Sequence, residues 1–302
     1  MYRRLVGGLL FAVVLTLAIV VPSLGGRRIE GTGTPIHFPA DPQVGDCLLE
    51  SLNDVILIQP TSFGSSLVPT FAPCGDRNAG GQVVAVVRAT GDVPARIRRA
   101  ATSGVDCYQS SLQDSGLVLV GGRYVLADHS PADPVDWNLT INARTAWVVP
   151  GPLLRAAGQD WVACVAAPLS GATFRGQLAG AFSGGTLPDE FGFCWEQSTP
   201  SAIGAVPCGS SHFAELVSLG TIPGGAGVPL ADIKSSCQQL AAQVIGRSDP
   251  TASGDLAVGT SVSPDVATPS QTQRVVCYIE PLTRPLSGTL VGLRDRPIPY
   301  SN

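Results

Sequence analysis

The sequence predicts an α+β fold of two tandem disulfide-bonded domains, each a small, mainly antiparallel sheet with one packed helix, behind an N-terminal apolar segment. Three observations predict it. The stretch from Pro207 through Cys208, His212 and Glu215 to Val217 has a weaker earlier copy, Pro73-Cys74-Gly75-Asp76-Arg77-Asn78, followed by Gln82-Val83-Val84. Once the two are superposed, Cys47 falls in step with Cys194, Cys107 with Cys237, and Cys164 with Cys277, so eight cysteines become two sets of four. The period far exceeds the about 20–50 residues of a solenoid repeat, which makes this a duplicated domain.

Size and composition agree. The 302 residues leave room, after the N-terminal segment, for two units of the usual size of about 100–150 residues. Charged residues are 14% of the chain and the net charge is −4, so there is no basic surface for nucleic acid or anionic lipid. The expected boundaries are 1–30 for an anchor or signal segment, 31–43 for a tether, 44–181 for the first domain, 182–189 for a linker and 190–302 for the second domain.

At the N-terminus, Arg3 and Arg4 precede an apolar run from Leu5 to Val21 that ends at Pro22. Signal peptides have apolar cores of about 7–15 residues and spanning helices need about 17–25, so this run sits at the boundary. Ser23-Leu24-Gly25 is a poor cleavage site, which favours an uncleaved plasma-membrane anchor over a cleaved, secreted form. An even set of cysteines at repeated spacings in an exported chain implies disulfides, and these place the globular part outside the cytoplasm.

In the first copy, Val- and Ile-rich stretches at 54–59 and 82–89 read as strands bracketing Cys74. Pro94 opens one helix in which Ile97, Ala101, Tyr108 and Leu112 recur near helical spacing, with Cys107 beside them. A strand from Trp161 to Ala166 carries Cys164. The second copy repeats this order, with short strands at 202–206 and 215–220, a helix whose apolar face is Leu230, Ile233, Cys237, Leu240, Ala241 and Val244, and a closing strand from Arg274 to Ile279. Both closing strands run through a proline to a last extended stretch, Phe174-Arg-Gly-Gln-Leu178 and Leu286-Ser-Gly-Thr-Leu290. The first copy is expected to carry an insertion from Pro131 to Trp147 that the second lacks.

Four cysteines permit three pairings per copy, and sequence does not choose among them directly. The expected pairing is first with second and third with fourth, because Cys47/Cys74 and Cys194/Cys208 flank strands while each helix cysteine faces a closing strand. Structural zinc needs close C-x₂₋₄-C pairs, and none is present, so neither metal nor cofactor is expected.

Gly45-Asp46-Cys47, then Cys208-Gly-Ser-Ser-His212-Phe-Ala-Glu215, a helix cysteine and a terminal cysteine strand resemble the bacterial septum-formation-related domain. The second copy departs from that pattern with Gly192-Phe193 for Gly-Asp and Ser211 for Pro, and the first places Asn78 where the histidine belongs. The resemblance implies a membrane-anchored, cell-envelope binding or structural protein associated with septation or division, whose partner is an envelope or division protein or a wall component. The competing class is a wall-acting hydrolase using His212 and Glu215. On an extended segment these two residues alternate to opposite faces, and no third zinc ligand or nucleophile accompanies them, so a structural or partner-binding role is expected. Trp137, Trp147, Trp161 and Trp195 are expected in the core rather than on a sugar-stacking surface.

Overall fold

The computed structural model describes residues 38–58, 69–75, 77–128, 133–198, 205–222, 227–262 and 272–301. The expected membrane segment lies outside them. Among the described residues no helix is long and apolar enough to cross a membrane.

The first copy runs β1 (Asp46–Leu48), α1 (Leu52–Ile58), β2 (Phe71–Pro73), β3 (Gly81–Arg88), α2 (Val93–Ala101), α3 (Cys107–Asp114), β4 (Val118–Val120), β5 (Arg123–Val125), β6 (Asp136–Asn138), β7 (Ala143–Val148), α4 (Pro152–Ala156) and β8 (Trp161–Pro168). The second runs β9 (Cys194–Trp195), β10 (Ala205–Val206), β11 (Ala214–Ile222), α5 (Leu230–Ile245), β12 (Leu256–Val262) and β13 (Gln273–Pro281). The result is a mixed α+β fold with antiparallel sheets and few helices.

The sheets repeat one another strand for strand. One has the order β2-β1-β3-β8-β7 and the other β10-β9-β11-β13-β12. Both place an irregularity at the same point, between Val83 and Ala85 in β3 and between Leu216 and Ser218 in β11. The residue after that irregularity faces the closing cysteine in each case, Ala85 opposite Cys164 and Ser218 opposite Cys277. Each long strand thus aligns its copy's helix cysteine partner. The four disulfides are Cys47–Cys74, Cys107–Cys164, Cys194–Cys208 and Cys237–Cys277, with no free cysteine.

Three local expectations are overturned. Of the stretch expected as a strand at 54–59, the described residues 54–58 lie in helix α1, because Leu52 and Val55, three apart, bury one helical face. The single helix expected after Pro94 is broken in two. Gly104 takes a positive φ of 83° and Asp106 begins a new helix by accepting a hydrogen bond from the Gln109 N–H (3.0 Å), which leaves Ala101 and Tyr108 exposed. The insertion is also smaller than expected at its C-terminal end: Trp147 lies in β7, the counterpart of β12, so it belongs to the shared sheet.

Helix α5 matches its sequence pattern except at its first residue. Ile233, Cys237, Leu240, Ala241 and Val244 are buried, whereas Leu230 is exposed at the N-terminus. It stops at Gly246, whose φ of 77° closes the last turn as few other residues can.

Residues 39–302 pack as one unit. Strand β6 of the first copy pairs with β11 of the second, and Trp137 at its centre donates its indole N–H to Ser236 Oγ on α5 (2.6 Å). Gly220 makes that approach possible, since a Cβ there would lie 2.6 Å from the Trp137 ring. Phe174 and Phe191 meet edge to face at 4.9 Å across the junction, and one continuous core contains residues of both copies.

Candidate functional site

The two residues singled out in the sequence converge, against expectation, on the Cys194–Cys208 disulfide. His212 precedes the regular part of β11 and is held by an isolated bridge, its N–H donating to the Leu286 carbonyl (2.9 Å) and its carbonyl accepting from the Leu286 N–H (2.8 Å). Phe213 then bends outward and is exposed before β11 begins at Ala214. That bend cancels the alternation expected of an extended segment. His212 is 0% exposed and Glu215 2%.

The imidazole is fixed in one tautomer. Its Nδ1 lies 2.8 Å from the Ser210 carbonyl, an acceptor only, so Nδ1 carries the proton and donates it. Nε2 is left with a bare lone pair, buried and without a partner among the described residues. Burial pushes the His212 pKa below its ordinary value, opposed by the Ser210 hydrogen bond and Asp189, so the ring is neutral near pH 7.

Glu215 is buried as well. Its carboxylate accepts from Thr289 Oγ1 (2.5 Å) and the Leu290 N–H (2.7 Å), and no cation pairs with it among the described residues. Burial raises its pKa to about 7 despite those hydrogen bonds, and Asp189 adds repulsion in the same direction. Asp189 Oδ1 accepts from the Thr289 N–H (2.7 Å), and the Asp189 carbonyl from the Cys208 N–H (3.0 Å). One corner therefore ties together the disulfide, the end of β11 and the last extended stretch.

The first copy builds the same corner from other side chains. Gln82 stands opposite Cys47 as Glu215 stands opposite Cys194, and it accepts from the Leu178 N–H (2.6 Å) as Glu215 accepts from Leu290. The bridge of His212 to Leu286 has its counterpart in Ala79 to Phe174. The first copy carries one extra residue after its second cysteine, so the match to His212 is Ala79 rather than Asn78. Asn78 is exposed and accepts from Arg175 Nε (2.8 Å). Gln82 passes its remaining hydrogen bond to half-buried Asp114, whose pKa is raised by burial to about 6.

Taken as possible ligands, Cys194, Cys208, His212 and Glu215 each offer one atom within 4.8 Å of all the others. In the oxidised protein the two sulfurs are committed to each other and supply no thiolate. The tryptophans divide as core residues: Trp137 and Trp161 are fully buried, Trp195 is buried and Trp147 is half-buried.

Sequence reasoning missed a trough of about 650 Å³ on the outer face of the second sheet. Leu219 and Val276, paired across β11 and β13, form its apolar floor, beside Thr221 and Arg274 in the next row. Arg123 reaches over from β5 to pair with Asp136, while Arg274 is exposed and makes no ion pair among the described residues. Period-two alternation within β11 is the signal that would have shown Leu219 facing outward, but pairing with β6 is not visible in sequence.

No protein-family model, curated protein or solved structure matches this chain.

Proposed function

We propose that this chain is a membrane-anchored, extracytoplasmic binding or structural protein of the cell envelope, acting in septum formation or cell division. The observation that carries the location is the pairing of all eight cysteines into four disulfides, a state that persists in compartments outside the cytoplasm. The apolar run from Leu5 to Val21 supplies the anchor, and the resemblance to septum-formation-related domains supplies the process.

A non-catalytic role is supported by the corner described above. An acid-base pair must reach its substrate's proton within hydrogen-bonding range. His212 and Glu215 are buried, and their polar contacts hold the fold together. A wall hydrolase working through this pair would need that corner opened. The trough between Leu219, Val276 and Arg274 fits a partner polypeptide of the envelope that presents apolar side chains beside a carboxylate, because Leu219 and Val276 are apolar and Arg274 makes no ion pair among the described residues.

The test of location is a reporter fused after Asn302 that is active only outside the cytoplasm. It is expected to be active. A silent reporter, with a cytoplasmic one working at the same position, would contradict the reading.

A further inference from the structure

The corner under the Cys194–Cys208 disulfide contains more chemistry than its structural task requires. The first copy satisfies the equivalent backbone groups with Gln82 and Ala79, leaving neither a buried carboxylate nor an imidazole. The second copy performs the same task with Glu215 and His212, and so accepts the desolvation of a carboxylate and a buried ring nitrogen with no partner among the described residues. The fold itself therefore needs neither the carboxylate nor the imidazole at this corner.

What the second copy adds is a ligand set. With the disulfide reduced, the corner presents two sulfurs, one imidazole nitrogen and one carboxylate oxygen, all drawn from positions whose donor atoms already lie within 4.8 Å of one another. Zinc accepts such sulfur, nitrogen and oxygen donors in a closed tetrahedron. The hydrogen bonds that would orient the ligands are also in place. A ligating histidine typically donates its other ring N–H to a carbonyl, as His212 Nδ1 does to Ser210, and this leaves Nε2 as the donor atom. Glu215 is oriented by Thr289 and Leu290, and each carboxylate oxygen retains a lone pair after accepting one hydrogen bond.

We propose that the reduced form of this chain binds one zinc-type divalent cation through Cys194, Cys208, His212 and Glu215, and that disulfide formation and metal binding at this corner exclude each other. A dithiol reductant transfers two electrons and two protons to the disulfide, giving two thiols and the reductant's own disulfide. The metal then displaces the two thiol protons, which leave to solvent, and the thiolates become ligands. Oxidation reverses the sequence and releases the cation. Because both cysteines are buried in the oxidised fold, the metal-bound state belongs to the chain before oxidation or after the corner has opened. The site is specific to the second copy, since Ala79 and Gln82 cannot replace its nitrogen and carboxylate ligands.

The test uses the full-length chain in detergent, reduced with dithiothreitol, freed of reductant without oxygen and titrated with Co²⁺ alone. Wild type is expected to take up one tight equivalent, showing the visible absorption of tetrahedral cobalt together with a thiolate charge-transfer band. His212→Ala, which copies the first unit, and Cys194→Ser are each expected to weaken that equivalent by about tenfold to a hundredfold or more, at least the range seen when supporting groups of metal sites are removed. Glu215→Gln should weaken it and alter the visible band. Oxidised wild type should show no such spectrum, and refolding of His212→Ala with all four disulfides checks that its fold survives. Cobalt bound equally by wild type and His212→Ala would overturn the proposal, because thiolates elsewhere in the reduced chain would then be the ligands. A reduced wild type that binds no cobalt tightly would overturn it as well.

Discussion

The two copies repeat a sheet order, a strand irregularity and a disulfide pattern, yet their equivalent corners differ in charge. Gln82 holds the last extended stretch of the first copy through a neutral amide, whereas Glu215 does so in the second through a carboxylate without a cationic partner among the described residues. Position in the fold sets which backbone groups must be satisfied. It does not set the protonation chemistry of the side chain that satisfies them. The carboxyl nearest the first corner, Asp114, sits at a helix end and is half-buried, while Glu215 lies wholly inside.

Removing the disulfides should perturb the two copies most. In the chain-entropy model, a cross-link stabilises more as the loop it closes lengthens, giving about 3 kcal/mol near fifteen residues and about 4 kcal/mol near sixty. The loops span 57 residues for Cys107–Cys164, 40 for Cys237–Cys277, 27 for Cys47–Cys74 and 14 for Cys194–Cys208. Replacing each pair by serines and measuring denaturant unfolding should give losses in that order. A largest loss at Cys194–Cys208 would show that strain or buried hydroxyls, rather than loop closure, dominate.

A smaller effect comes from moving the second copy's chemistry into the first. Gln82→Glu would lose the donor to Asp114 and place two carboxyls together, so it should cost about 3 kcal/mol at pH 8 and much less at pH 5, where protonation relieves the repulsion. Equal losses at both pH values in thermal unfolding would show that shape, not charge, distinguishes the corners. Smaller again is Gly220→Ala, whose Cβ would press on the Trp137 ring and should cost about 1–3 kcal/mol, as overpacking commonly does. If stability were unchanged, the pairing of β6 with β11 would not be the close junction described.

Much of this architecture is legible in the sequence because it rests on spacing. The cysteine phases, the closing strands around Cys164 and Cys277 and the apolar face of α5 follow from periodicity. What escaped depended on single residues that break a period. The bend at Phe213 brings His212 and Glu215 into one corner, Gly104 and Asp106 split an expected helix, and one extra residue after Cys74 makes Asn78 look equivalent to His212 when Ala79 is. The match of Gln82 with Glu215 is legible in the sequence repeat, and strand register agrees with it, Gln82 standing opposite Cys47 as Glu215 stands opposite Cys194.

Coupling between folding and protonation of the carboxyl buried in the second corner is tested by comparing oxidised wild type with Glu215→Gln across pH. Glu215 has an ordinary value of 4.5 and a folded value of about 7, so the folded state binds its proton more tightly. Its contribution is fully present below pH 4.5 and is lost as pH rises to about 7, a span equivalent to about 3 kcal/mol. His212 acts oppositely: its lowered value means stability is lost as pH falls below 6.5, and Asp114 shares the sign of Glu215. Both remain in the variant, so the difference between the two proteins isolates Glu215. Thermal unfolding at pH 5 and pH 8 should show wild type losing stability toward pH 8 relative to Glu215→Gln, with the gap shrinking or reversing at pH 5. Parallel curves for the two proteins over that range would contradict this coupling.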